Sequence, residues 1–301
     1  MLHIATLTAN PKNPVIEPGL LAKVSAVLPG ARPPVVLAPG IAAEIPFTAT
    51  GIETRDLAGI ARIALEGAAA DLNLLPAEER RKGLLLADMD STMIEQECLD
   101  ELADLVGLKE HVAAITERTM RGELEFEPAL RERVALLKGL KLDRIGSVID
   151  ERISLMPGGR VLVATMRAHG ARTALVSGGF TLFTAPIATR IGFDEQRGNV
   201  LDHDGSALSG TVSDPILGRD AKRAALIELR GKLKLTASQT LAVGDGANDL
   251  AMLEEAGLGV AFRAKPAVSA AAGARIEYGD LTALLYLQGY RKDEFVTSAA
   301  L

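Results

Sequence analysis

The chain has 301 residues, enough for two domains, and its 48% hydrophobic and 24% charged residues exclude disorder. Lys and Arg number 33 against 39 Asp and Glu, a net charge of −6, and Trp is absent; no basic nucleic-acid footprint or base-stacking surface is expected. One cysteine, Cys98, excludes an internal disulfide framework and a cysteine-based zinc site, and no apolar run approaches the ~20 residues that span a bilayer.

Met1-Leu2-His3 lacks the basic start of a secretory signal, so a soluble, cytoplasmic protein is expected. Leu2–Thr8 then reads as a strand, followed by the turn residues Asn10, Pro11, Asn13 and Pro14. Pro18-Gly19 opens a helix that runs to about Leu28, with proline near its start. Val35–Leu37 and Ile41–Phe47 are strands around Pro39-Gly40, Leu57–Ala69 is a second helix, and Leu72–Leu75 a last strand. The order is β-α-β-β-α-β, a small ferredoxin-like α+β domain over residues 1–76. Glu78–Lys82, a charged stretch after Pro76, reads as the linker to a second domain over residues 77–301.

From Gly83 the pattern becomes strand, polar stop, helix. Leu84–Ala87 ends at Asp88, Thr173–Val176 at Ser177-Gly178-Gly179, and Leu241–Val243 at Gly244-Asp245-Gly246. Fully apolar strands alternating with helices indicate an α/β fold whose parallel sheet is buried on both faces. Ligands bind such sheets outside the carboxyl ends of the strands, where all three polar stops fall. Between about 95 and 155 no strand signal appears, while Leu99, Leu102 and Val106, and Leu130, Val134 and Leu137, keep helical spacing. Sixty residues are too many for a loop, so an all-helical cap subdomain is expected there. Asn199–Ser213, with its Asp204-Gly205 turn, reads as a hairpin. Residues beyond Tyr290 have little to fold around and are expected to fray.

Three motifs can carry chemistry. In Asp88-Met89-Asp90-Ser91-Thr92, one side chain and a neighbouring backbone carbonyl at the strand end can share a hard cation, leaving a second carboxylate for proton transfer. In Gly244-Asp245-Gly246-Ala247-Asn248-Asp249 the glycines permit a tight turn, and Asp245 and Asp249 can hold a metal from the far side. Ser177-Gly178-Gly179 offers a hydroxyl and bare amides to a phosphate. Leu175 stands where a Gly-x-Ser-x-Gly nucleophile motif needs glycine, so Ser177 is not read as a hydrolase nucleophile. Lys222, early in a helix, is solvated unless phosphate ligands converge on it. His3, His111, His169 and His203 read as surface residues, and Cys98 as buried filler.

Asp-x-Asp-Ser-Thr, Ser-Gly-Gly-Phe, a lysine and Gly-Asp-Gly-Ala-Asn-Asp, in this order and at strand ends, resemble the haloacid-dehalogenase (HAD) superfamily of phosphohydrolases. More narrowly, Asp88–Glu97, Met120–Arg133, Val176–Phe180 and Gly244–Pro266 resemble its phosphoserine phosphatase family. The resemblance implies a HAD-type Rossmann-like parallel sheet sandwiched by helices, with the helical cap over the site. It implies that Asp88 attacks phosphorus to form an aspartyl-phosphate, and that Asp90 protonates the leaving oxygen and then activates water. Mg²⁺ would be held by Asp88, the Asp90 carbonyl and Asp245, while Ser177, the Gly178 amide and Lys222 neutralise phosphate oxygens. Asn248 and Asp249 would hold Lys222 or a metal-bound water in place. The implied substrate is O-phospho-L-serine, its ammonium met by Glu97 and its carboxylate by Arg133, with Phe126 and Met120 lining the pocket. A related phosphatase or phosphotransferase acting on another small phosphate, such as phosphohomoserine, stays open and separates from this reading at Glu97 and Arg133. Neither a nucleic acid nor a membrane is an expected partner.

Ile16-Glu17-Pro18-Gly19-Leu20-Leu21-Ala22 is similar to the entry of ACT regulatory domains, although Glu17 replaces their basic residue. This implies an ACT-like unit that senses an amino acid or serves to form a homodimer.

Overall fold

A computed structural model describes residues 1–49, 54–120 and 123–297, without the side chains of Thr119 and Met120. The chain opens with β1 (Leu2–Ala9), α1 (Pro18–Val27), β2 (Val35–Ala38), β3 (Ala42–Thr48), α2 (Thr54–Ile63) and β4 (Ala70–Pro76). The strands form one sheet in the order β2-β3-β1-β4, with every pairing antiparallel. Side chains alternate along a strand, so Ala5, Leu7 and Ala9 of β1 join Ile45, Phe47 and Leu72 on the face covered by Leu21, Val24, Leu57 and Ala61 of the helices. The helix α2 stops at Ile63 and does not continue to Ala69; Glu66 and Gly67 take left-handed backbone conformations, which end it in a turn. His3 is buried with its ring against Phe47, so it is not a surface residue.

The other face of this sheet is polar and docks on the second sheet. Asn73 bonds both the N–H and the carbonyl of Arg275, replacing the pairing that a neighbouring strand would supply. Asp71 accepts the N–H groups of Glu277 at 2.7 Å and Gly279 at 2.8 Å. Arg80, within the charged linker, bonds Glu44 and the carbonyls of Tyr286 and Leu287. Arg80 therefore ties the linker to both units.

The rest of the chain runs β5 (Leu84–Ala87), α3 (Cys98–Leu105), α4 (Lys109–Met120), α5 (Phe126–Ala135), α6 (Leu142–Glu151), α7 (Gly159–Ala168), β6 (Arg172–Phe180), α8 (Thr181–Ile191) and β7 (Glu195–Asn199). It continues through β8 (Leu201–His203), β9 (Leu208–Val212), α9 (Arg219–Lys232), β10 (Thr240–Gly244), α10 (Leu250–Glu255), β11 (Leu258–Phe262), α11 (Pro266–Ala271), β12 (Ala274–Ile276) and α12 (Ala283–Leu287). Six of these strands form a parallel sheet in the order β12-β11-β10-β5-β6-β7. Its two faces are both covered: Leu85, Ala87, Leu175, Leu241 and Val243 belong to one core, and Leu84, Leu86, Ala174, Val176 and Ala242 to the other.

Four helices, α3 to α6, fill the insertion expected between 95 and 155. Its two ends meet in a bridge between Ile94 and Leu155, reinforced by the Met156 N–H on the Met93 carbonyl at 2.9 Å. The β8–β9 hairpin belongs with these helices, since the Leu208 N–H bonds the Leu140 carbonyl, the Gly139 N–H bonds the Leu208 carbonyl, and Ala207 pairs with Lys141. The strand β6 does not stop at Val176. It runs through Ser177-Gly178-Gly179 to Phe180, with a register shift against β7. Residues 291–297 are docked and not frayed, while 298–301 lie outside the described residues: Phe295 packs on Tyr286, the Val296 N–H bonds Thr165 Oγ1 at 2.9 Å, and Glu294 pairs with Arg81 at 2.5 Å. No helix among the described residues is long and apolar enough to cross a membrane.

Candidate active site

Because β5, β6 and β10 are adjacent and parallel, their three motifs open onto one edge of the sheet. Asp88 follows β5 directly, and its N–H bonds the Val243 carbonyl of β10 at 3.0 Å, which extends the ladder by one residue and buries the carboxylate. Lys222, in the first turns of α9, crosses beneath it. Its ammonium lies 2.6 Å from Asp88 Oδ1 and 2.6 Å from Asp249 Oδ1, with all three residues buried. A lysine that by itself reads as solvated is thus enclosed by two carboxylates. Burial alone would lower its pKa, but Asp88 and Asp249 outweigh this and hold the ammonium above its ordinary value.

The carboxylates crowd one another. Burial first, and Asp249 second, push Asp88 well above the ordinary carboxyl range. The same two causes take Asp245 up to about 6, against the hydrogen bond it accepts from Thr92 Oγ1 at 3.2 Å. Oxygens of Asp88, Asp245 and Asp249 lie within 4.8 Å of one another. Three carboxylates face one ammonium, and hard oxygen donors in negative excess suit a divalent cation such as Mg²⁺. Asp249 already bonds Lys222 through Oδ1 and the Gly246 N–H through Oδ2, so Asp88 and Asp245 are the members with oxygen left to ligate. Asn248 is exposed, with its side-chain oxygen against Gly246.

Gly244 makes room for this arrangement. A Cβ there would lie 2.4 Å from the Asp249 carboxylate, a distance that real atoms do not tolerate. Gly244→Ala is expected to displace Asp249 from Lys222 and to cost about 2–3 kcal/mol of stability, measurable by calorimetry. An unchanged melting temperature would show that the turn relaxes instead.

Asp90 Oδ1 accepts the Cys98 N–H at 3.1 Å, and burial pushes its carboxyl upward. A Cβ on Gly179 would sit 3.0 Å from Asp90 Oδ2 and 3.1 Å from Ser177 Oγ, so the bare glycine lets the first and third motifs close on each other. Ser177 Oγ accepts the Gly179 N–H at 2.8 Å. Asn199, which the sequence reading did not mark, ties this turn down: its amide bonds the carbonyls of Gly178 at 2.8 Å and Leu217 at 3.2 Å, and its oxygen accepts the Leu217 N–H at 2.7 Å. Only its place beside a strand-end glycine hinted at such a role.

The cap supplies the opposite wall. Phe126 covers the glycines of the sheet edge, since a Cβ on Gly178 or Gly218 would lie 3.7 or 3.5 Å from its ring. Arg133 is two turns along α5 on the same face; its Nε–H bonds the Ala129 carbonyl at 3.1 Å and Nη1 bonds Thr116 Oγ1 at 3.2 Å. Glu97 precedes α3 and accepts Ser91 Oγ at 2.6 Å, with Ser91 held in a left-handed conformation. Although Glu97 faces open solvent, crowding by the cleft walls and then the nearby Asp90 carboxylate take it up to about 7. The side chain of Met120 lies outside the described residues.

Residues 85–254 match the haloacid dehalogenase-like hydrolase family. A phosphoserine phosphatase of Albidiferax ferrireducens is 47% identical over 209 residues, 68% of this chain and 88% of that protein. Among solved structures, a HAD family hydrolase of Salmonella enterica serovar Typhi superposes with a TM-score of 0.84 at 28% identity, covering 95% of this chain and 98% of the other. A probable phosphoserine phosphatase of Vibrio cholerae gives 0.76 at 30% identity, over 96% and 86% of the two chains. On the match over 85–254 and these similarities, the chain belongs to the haloacid dehalogenase-like hydrolase family.

Proposed function

We propose that the protein is a Mg²⁺-dependent phosphatase that releases L-serine and phosphate from O-phospho-L-serine. The observation that carries the chemistry is Asp88, buried at a strand end with Oδ1 held by Lys222 and by the Met89 N–H at 2.8 Å. Its second oxygen is outside both bonds and is the one that attacks phosphorus. As the bond from phosphorus to the serine oxygen breaks, Asp90, whose raised pKa favours a retained proton, delivers that proton to the oxygen. The resulting Asp90 carboxylate then takes a proton from water, which attacks the aspartyl-phosphate and frees Asp88. Lys222, Ser177 and the Gly178 amide offset charge on the phosphoryl oxygens. Mg²⁺ held by Asp88, the Asp90 carbonyl and Asp245 would offset the carboxylate charge that otherwise repels a phosphate dianion.

Substrate choice rests on the cap. Glu97 suits an ammonium and the planar fork of Arg133 a carboxylate, with Phe126 closing the space between them and the sheet edge. The Albidiferax relative is a phosphoserine phosphatase, which supports this reading. Arg133→Ala is expected to lower kcat/KM for O-phospho-L-serine by roughly 30-fold or more while an aryl phosphate loses less than about threefold. Phosphate release measured with both substrates, with and without EDTA, checks this; equal losses would sink the amino-acid assignment. The same reading makes residues 1–76 an ACT-like unit and 77–301 the phosphatase with its cap. Exposed Val27, Ile60 and Ile63 on α1 and α2 support pairing of that unit with a second copy.

A further inference from the structure

Arg133 is anchored at two corners of its guanidinium. The Nε–H is spent on the Ala129 carbonyl one turn back in α5, and Nη1 donates to Thr116 Oγ1 of α4. Nη2 makes no hydrogen bond among the described residues. Nε has a single proton and it is spent, so the side-on fork formed by Nε and Nη2 is closed to a ligand; Nη1 has two protons and gives one to Thr116, so the end-on fork of Nη1 and Nη2 is what remains for a carboxylate. Which way that fork points depends on the Nη1 corner. Thr116 sets it, and its own orientation is not free: the hydroxyl proton goes to the Val112 carbonyl at 3.0 Å, so a lone pair is turned toward the arginine. Thr116 is half-buried, and its hydrogen bonds among the described residues go to Val112 and Arg133 and not to the phosphate-facing motifs.

We propose that Thr116 is a positioning residue for substrate recognition: it aims the end-on fork of Arg133 at the substrate carboxylate. The inference rests on the substrate reading above. Freed of Thr116, the guanidinium would keep its charge but sample several rotamers, and binding would bear the cost of reordering it. The chemistry at Asp88 would continue unaltered.

The test is steady-state kinetics of the full chain with Mg²⁺ on O-phospho-L-serine and on an aryl phosphate, which has no carboxylate. Thr116→Val keeps the branched shape and removes the acceptor. It should raise KM for O-phospho-L-serine about tenfold with kcat changed less than about threefold, and move the aryl phosphate KM by less than about twofold. Thr116→Ser, which restores the hydroxyl, should recover the KM. In an Arg133→Ala background, Thr116→Val should add nothing, because the residue it acts through is gone. Parallel losses on both substrates, no rescue by serine, or additivity with Arg133→Ala would each overturn the role. If the wild type shows no preference for O-phospho-L-serine, the substrate reading falls and the role falls with it; a preference that is undiminished in Thr116→Val overturns the role alone.

Discussion

Asp88→Asn is expected to abolish phosphate release, with a loss on the order of 10⁴-fold or more, while leaving the fold intact. The amide cannot attack phosphorus, so no covalent intermediate forms, and the remaining groups only bind. Stability should move the other way. Asp88 sits buried beside Asp249, and both burial and that neighbour raise its pKa, so the folded protein carries its charge at a cost. An asparagine of the same shape removes one of three clustered carboxylates and leaves Lys222 paired with Asp249 at 2.6 Å. The melting temperature without metal should therefore hold or rise. Residual turnover within tenfold of wild type would place the nucleophile elsewhere, and a large fall in melting temperature would mean that the Lys222 bond outweighs the crowding.

Lys222→Met is the second large effect, and it strikes stability and turnover together. Removing the ammonium leaves Asp88 and Asp249 buried face to face without a counter-charge. Breaking a buried pair in this way costs about 3–5 kcal/mol. In a domain of this size that is a fall of roughly 10 °C in melting temperature. Phosphate release should fall by at least about 10²-fold, because a phosphoryl oxygen loses its cation. Millimolar Mg²⁺ should return part of the lost stability, since a cation on Asp88 and Asp245 relieves the same repulsion. Scanning calorimetry with EDTA and with Mg²⁺ measures both effects. A variant as stable as wild type in EDTA would show that the two carboxylates share a proton once the lysine is gone.

The parts of this protein that were legible beforehand are those whose signal is local. Leu84–Ala87 and Leu241–Val243 are apolar without a break because strands buried on both faces have no solvent side, and each ends at a polar residue that marks the binding edge. The β-α-β-β-α-β order of the first sheet was likewise readable from turn residues and alternation. Glu195–Asn199 was not: it is an edge strand of largely half-buried polar residues, recruited by the backbone of β6 and not by its own side chains. The Ser-Gly-Gly turn misled for a related reason, because a neighbouring strand carries the ladder past residues that usually break one.

The candidate site divides in the same way. By itself the sequence determined the order of elements, the parallel sheet and which carboxylates stand at its edge, since periodicity and turn chemistry act over a few residues. Tertiary structure alone decided that Lys222 is buried between Asp88 and Asp249, that Asn199 clamps the Gly178 turn, and that Arg133 is anchored by Thr116. The physical reason is that the charge, hydration and orientation of a polar side chain depend on partners brought from distant parts of the chain, and no local pattern encodes which partners will arrive.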